Sequence, residues 1–346
     1  MPSFRTCRVV EVLAERPGLQ RLRLHDGSRA YVLTQQVGDV AVGDEVVVNT
    51  TAVDLGLGTG GWHVVHWNLS RRELHLPGPG HIMKVRYTSL QTDTGATEEV
   101  AGVLDPAMPH LGGRPVLVGS LHSQLGVVAA VLHHLRPTLR VSYVMTDGAA
   151  LPLALSDLVV QLRERGMLVG TVTAGHAFGG DHEAVSVPSA LQVAVEVQHA
   201  DVVVCAMGPG VVGTGTALGT TALEVSSIVS AAAALGAHPV VVARASSGDA
   251  RPRHQGLSHH TRTALALLDR AVDVPLPPEL AQLHLAPHRV IEVEPGDVGA
   301  VLAAASLQVT TMGRGIDADL LFFRTAAAAA WHATSLCPAD GTVWPA

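Results

Sequence analysis

Residues 201–227 read DVVVCAMGPGVVGTGTALGTTALEVSS, and the way this stretch divides decides the fold. Residues 202–206 are an unbroken apolar run of strand length, as in a central strand buried on both faces. The run breaks into glycines and threonines, then into an alanine-rich segment over 216–235 with helical character. Strand, glycine loop and helix in that order present backbone N–H groups and a helix N-terminus to an anion. Gly208, Gly210 and Gly213 fit the spacing G-x-G-x-x-G, and Thr214, Gly215 and Thr216 extend the loop. These six residues are expected to bind a phosphate or carboxylate. Glycines at such a turn also serve tight turning and close packing, and with 35 glycines in 346 residues the spacing alone does not decide.

Outward from this stretch, the chain alternates strand and helix. Strand-like runs fall at 115–118, 141–145, 168–173, 239–243, 272–274 and 290–293, with helical segments at 123–135, 153–165, 188–199 and 261–270 between them. The expected architecture is a mostly parallel, Rossmann-like α/β sheet with helices on both faces. An eight-fold α/β barrel is the alternative. Apolar content is 47% but aromatics are only 3%, so the core is aliphatic, as suits such a sheet. Residues 1–100 differ: five or six short strands at 5–13, 20–24, 30–33, 45–49 and 62–69, with turns such as Asp26-Gly27, predict a small β-barrel domain. The division expected is 1–100 and 101–346.

The polar residues gather at the carboxyl ends of the α/β strands. The first strand leads into Ser120, His122 and Ser123; the second into Thr146-Asp147-Gly148; the third into His176, Asp181, His182 and Glu183. The fifth leads into Arg244, Ser246, Ser247 and Asp249, then His254, His259 and His260. In parallel α/β folds these ends share the face where ligands bind. His122, Asp147, His176, Asp181 and His259 are therefore the candidate catalytic residues, imidazoles for proton transfer and carboxylates to orient them. The same set suits a divalent metal held by nitrogen and oxygen donors, although no H-E-x-x-H signature is present. Lys84 is the single lysine among 23 Lys+Arg; a lysine kept in an arginine-rich chain offers a titratable amine. With Arg86 it is expected to fold over the site as a ligand-binding pair.

Composition limits the partners. A formal charge of −7 with 15% charged residues gives no basic footprint for nucleic acid. Cys7, Cys205 and Cys337 form no spaced pair, so neither a disulfide framework nor a cysteine zinc motif is indicated. The amino terminus lacks the apolar region of a signal peptide, and glycines with Pro209 interrupt the apolar stretch 202–243, so a cytoplasmic protein with no membrane partner is expected. The segment 216–235 carries one charge, Glu224. An uncharged helix needs cover on most sides, from the barrel domain or from a homodimer partner.

The motifs MTDGAALPLALS (145–156), GHAFGGDHEAV (175–185), AMGPGVVGTGT (206–216) and GLSHHT (256–261) together resemble a bacterial family, domain of unknown function 3866, over nearly the whole chain. The resemblance implies no substrate, cofactor or catalytic residue. The residues themselves support an enzyme acting on a small anionic metabolite, phosphorylated ones included, by acid–base or metal-assisted chemistry. A non-catalytic ligand-binding regulator is the alternative. NADP binding, with Arg244, Ser246 and Ser247 on a 2′-phosphate, is a third.

Overall fold

The computed structural model describes residues 1–57, 60–339 and 344, and it divides into two compact units, Met1–Gly95 and Ala96–Ala346. The first contains a closed barrel of five strands, β1 (Phe4–Arg16), β2 (Leu19–Leu24), β3 (Arg29–Leu33), β4 (Glu45–Asn49) and β5 (Trp62–Asn68). They pair in the order β1-β2-β3-β5-β4, and β4 returns to β1. Period-2 alternation turns Cys7, Val9, Leu22, Leu24, Ala30, Val32, Val46, Val48 and Val65 into the interior. Closure leaves the barrel without a free edge.

The second unit is an open sheet of eight strands: β6 (Pro115–Gly119), β7 (Val141–Thr146), β8 (Gly170–Ala174), β9 (His182–Ala184), β10 (Val202–Met207), β11 (His238–Val242), β12 (Asp273–Leu276) and β13 (Arg289–Glu292). Their order is β9-β8-β7-β10-β6-β11-β12-β13, and every pairing is parallel. The sheet has two edges, so the eight-fold barrel is not formed. β9 lies inside what the sequence presents as a polar loop.

The helices are α1 (His122–Leu135), α2 (Asp157–Glu164), α3 (Val187–Glu196), α4 (Glu224–Ala234), α5 (His259–Ala266), α6 (Val298–Ala304) and α7 (Leu320–Leu336). Alternate residues of one strand feed opposite faces. Val202, Val204 and Ala206 of β10 join a core with α1, α2, α6 and α7, while Val203 and Cys205 join one with α3, α4 and α5. Burial on both faces is why β10 reads as a continuous apolar run. Alanines 326–330 of α7 are all buried, and their small side chains let α7 lie close against α1.

α4 starts at Glu224, after a short 3₁₀ turn at Thr221–Leu223, eight residues later than the sequence suggests. It packs on β11 and beside α3 and α5, and its exposed positions are Ser227 and Ala234. The cover its composition calls for comes largely from its own unit. No helix among the described residues is long and apolar enough to cross a membrane.

Candidate functional site

β7 continues outward to β8, whereas β10 continues the other way, across β6, to β11. Such a reversal opens a crevice at the strands' carboxyl ends. Here the loops after β7 and β10 meet, with the Ala150 N–H donating to Pro209 O at 2.9 Å. Between them sits Glu224. The Thr146 hydroxyl lies 2.8 and 2.9 Å from its two carboxylate oxygens, and a Cβ on Gly148 would fall 2.4 Å from Oε2. Burial raises the Glu224 pKa to about 7, against the Thr146 hydrogen bond, and the nearby Asp147 charge raises it further. Asp147 itself is exposed and accepts the His176 backbone N–H at 3.0 Å, so these two expected site residues do meet, through the main chain.

The carboxyl of Glu224 has a pH consequence. Its folded pKa of about 7 lies above the ordinary 4.5, so its contribution is fully present below about pH 4.5 and is lost as pH rises through about 7. The native protein is expected to lose up to about 3 kcal/mol on this account between about pH 5 and about pH 8. Glu224→Gln removes that slope and is more stable than the native protein at the alkaline end. Urea unfolding of both proteins at the two pH values measures it; parallel pH dependence contradicts the assignment.

His122 lies elsewhere. Its Nε2 is 2.7 Å from the Ser156 hydroxyl and its Nδ1 is 3.2 Å from the Tyr143 hydroxyl, and burial lowers its pKa to about 4. Both ring nitrogens are occupied and the ring is neutral. It lines a cavity of about 330 Å³ with Pro209, Gly210 and Val211, a lining that excludes Asp147 and His176. Asp181 leaves the carboxyl face altogether. The chain doubles back after β8, and Asp181 accepts from the Thr171 N–H and hydroxyl, each at 2.9 Å, and pairs with Arg163 at 2.7 Å. It fixes the amino end of β8, away from a catalytic role. Lys84 and Arg86 belong to the first unit. Lys84 is fully buried in a two-residue ladder with Thr92, and Arg86 donates to Met83 O.

The glycine loop does not open directly into a helix. Residues 212–221 form an exposed finger closed by a bridge between Gly213 and Thr220. Its amides are used internally: Thr214 N–H on Gly219 O at 2.7 Å, Thr216 N–H on Thr214 Oγ1 at 3.2 Å, and Val212 N–H on Thr221 Oγ1 at 3.2 Å. The backbone donors expected to cradle an anion at Thr214 and Thr216 are therefore already bonded. What the loop does is approach a histidine. A Cβ on Gly213 would lie 2.5 Å from His260 Cε1 and 2.8 Å from Nε2. Gly213→Ala is expected to push the imidazole aside while changing stability by only about 0.5 kcal/mol, the loop being outside the core. Histidine Cε1–H resonances and thermal melts check this, and an unmoved His260 resonance contradicts the contact.

That histidine belongs to a dense polar cluster of the second unit. Beyond β11, a short hairpin of Ala245–Ser246 against Gly256–Leu257 returns the chain to Arg244, whose carbonyl accepts the Ser258 N–H at 2.9 Å. Ser258 then caps α5 through the His260 N–H. The turn and the helix start bring His254, His259 and His260 together, with ring centroids 4.3–5.0 Å apart. The Nε2 atoms of His259 and His260 are buried with no hydrogen-bond partner. Burial lowers the pKa of His254 to about 3 and of His260 to about 4, with further lowering by neighbouring charges including Arg244. All three imidazoles, His259 among them, are pushed towards the neutral form.

Arg244, Arg251, Arg253 and Arg314 lie around them with the carboxylates of Asp249 and Asp319. Asp249 takes Arg251 at 2.9 and 2.7 Å through its two oxygens and Arg314 at 3.4 Å. These hydrogen bonds, Arg251 first, hold it well below the usual carboxylate range against its burial. Asp319, fully buried, accepts from Ser246 Oγ at 2.6 Å, Ser247 N–H at 2.8 Å, Gly248 N–H at 3.2 Å and Arg314 Nε at 3.0 Å. Burial acts to raise its pKa, but these donors prevail and hold it low. Arg244 is buried too, and burial lowers its pKa to about 10. Its nearest anion is Asp249 at 3.6 Å, and its Nη1 is 3.4 Å from His260 Nδ1. With Arg253 also acting on His259 and His260, the arginines outnumber the two aspartates and the charge beside the histidines is net positive. Ser246 and Ser247, read above as 2′-phosphate ligands together with Arg244, are bound to Asp319, which leaves Arg244 alone of the three.

Of the residues expected in the site, His259 lies in this cluster, with Gly213 against it. Glu224, His254 and Asp319 are not among the expected catalytic or binding residues, and Arg244 is expected only as a 2′-phosphate ligand. Glu224 carries a visible signal as the lone charge in a 42-residue apolar stretch, 202–243. The chain belongs to the family described as protein of unknown function, DUF3866, whose model matches residues 29–330, a span that includes the whole cluster. No curated protein and no solved structure matches the chain.

Proposed function

We propose that the chain is an enzyme that acts on a small anionic metabolite at the centre made by Arg244, His254, His259 and His260. The observation that carries this is Arg244, a buried guanidinium whose nearest carboxylate stands beyond hydrogen-bond distance at 3.6 Å, next to imidazoles with unpaired Nε2 atoms. A buried cation so loosely paired favours an anion that comes from outside. Arg251 and Arg314 are tied to Asp249 and Asp319 and set the turn in place. Arg244 would take a phosphate or carboxylate oxygen, and the neutral imidazoles would face the reacting group with lone pairs available. The finger carrying Gly213 closes one side.

Calorimetry with inorganic phosphate and hydrolysis of p-nitrophenyl phosphate test the reading. Saturable binding of one phosphate per chain is expected, with turnover that phosphate inhibits competitively and His259→Gln abolishes. No saturable binding, or turnover indifferent to His259→Gln, contradicts it. Binding without turnover would make the protein a ligand-binding regulator.

A further inference from the structure

We propose that His254, His259 and His260 hold one divalent transition-metal ion through their Nε2 atoms, zinc being the ion that suits this donor set. This deepens the catalytic reading of the same centre, and its test does not depend on turnover. One nitrogen from each ring lies within 4.8 Å of the other two. Tetrahedral zinc, with bonds of about 2.0–2.1 Å, sets neighbouring nitrogens about 3.3–3.4 Å apart, so binding draws the rings inward by side-chain rotation. Buried polar atoms without partners are rare in native interiors, and here two of them, His259 Nε2 and His260 Nε2, occur in one trio.

The groups behind the rings fit the same assignment. His254 Nδ1 is 2.8 Å from Ser258 Oγ. If Nδ1–H donates there, the lone pair is left on Nε2, the usual device for orienting a metal-binding imidazole. Thr220 Oγ1 lies 3.5 Å from His260 Nδ1 and offers the equivalent acceptor. With the proton on Nδ1 facing Thr220, the 3.4 Å approach of Arg244 Nη1 to that nitrogen ceases to be a hydrogen bond. The guanidinium is then released towards an anion. Asp249 and Asp319 are committed to arginines and backbone amides, so the donor set is three nitrogens with a fourth position open. An ion held in that way supplies an acidified water and a Lewis-acid contact for a substrate oxygen.

A second trio, His238, Asp273 and His332, also meets the distance condition, but its atoms already satisfy one another. Both Nε2 atoms bond to Asp273 Oδ2, at 2.8 and 2.9 Å, and Arg289 occupies Oδ1 at 2.7 Å. The guanidinium stands where a cation would. This trio is a pairing network at the amino ends of β11 and β12 and serves as the control.

The experiment is elemental analysis of the purified full chain, followed by zinc titration of chelator-stripped protein against a chromophoric chelator. Native protein, His259→Gln, Ser258→Ala and His332→Gln are compared, with circular dichroism to establish that each is folded. One zinc per native chain is expected. Affinity falls at least about 100-fold in His259→Gln and about 10–100-fold in Ser258→Ala, and is unchanged in His332→Gln. Native binding no tighter than that of His259→Gln overturns the proposal, as does loss of zinc in His332→Gln alone. Native protein that is purified without zinc and takes up none on titration overturns it too, and leaves the catalytic reading standing if phosphate still binds.

Discussion

Asp319→Ala is expected to destabilise the second unit by about 3–5 kcal/mol, the usual result of removing one partner from a buried charged network. The carboxylate is fully buried and gathers four donors from two distant segments: Ser246, Ser247 and Gly248 after β11, and Arg314 before α7. Alanine strands all four at once. Arg314 keeps only its 3.4 Å contact with Asp249, and two backbone N–H groups lose their acceptor. Asp319→Asn does little better, because its amide nitrogen must face a donor. Chemical denaturation reads the change, and a melting shift of roughly 2–4 °C per kcal/mol accompanies it. A loss below about 1 kcal/mol would mean that water or a neighbour satisfies these donors and that the network does not hold the turn.

Arg244→Met is expected to leave the fold intact and to lower kcat/KM by about 100–1,000-fold, the usual cost of removing one preorganised donor from a reacting anion. Methionine fills the buried stem of the arginine without its charge. Asp249 retains Arg251 through two hydrogen bonds and Arg314, so no carboxylate is left unpaired. The sequence-local anchors survive as well, since the Arg244 N–H donates to Thr261 Oγ1 and the carbonyl accepts from Ser258. A rise in KM with kcat unchanged assigns Arg244 to binding; a fall in kcat assigns it to the reacting charge. A kcat/KM within about twofold of native removes Arg244 from the site. Phosphate affinity, measured in parallel, distinguishes a displaced ligand from a slower reaction.

Much of the architecture is legible in the sequence because strand burial is a local property. Val202–Met207 is apolar throughout since both faces are covered, and the five barrel strands alternate because one face is covered. The carboxyl-end motifs are legible for the same reason, as they follow directly from the strands. What cannot be read is how far the chain travels after each motif. Asp181 follows a strand end, but the turn through Gly179 and Gly180 carries it back to Thr171 at the other end of β8. Residues 216–220 look helical beside their alanine and leucine neighbours, yet the Thr214–Gly219 hydrogen bond and the Gly213–Thr220 bridge hold them in a finger. Arg314 and Asp319 join the histidine cluster through hydrogen bonds spanning about 70 positions. Nothing local marks such a pair. His259 is one imidazole among 19, and only the hairpin 245–257 shows that His254 and His260 stand with it.

A crystal structure of the native protein soaked in inorganic phosphate tests the central claim most directly. One anion is expected within hydrogen-bond distance of the Arg244 guanidinium, facing the Nε2 atoms of His254, His259 and His260. An anion held instead in the cavity beside His122 or in the crevice of Thr146 and Glu224, with none at Arg244, would contradict it.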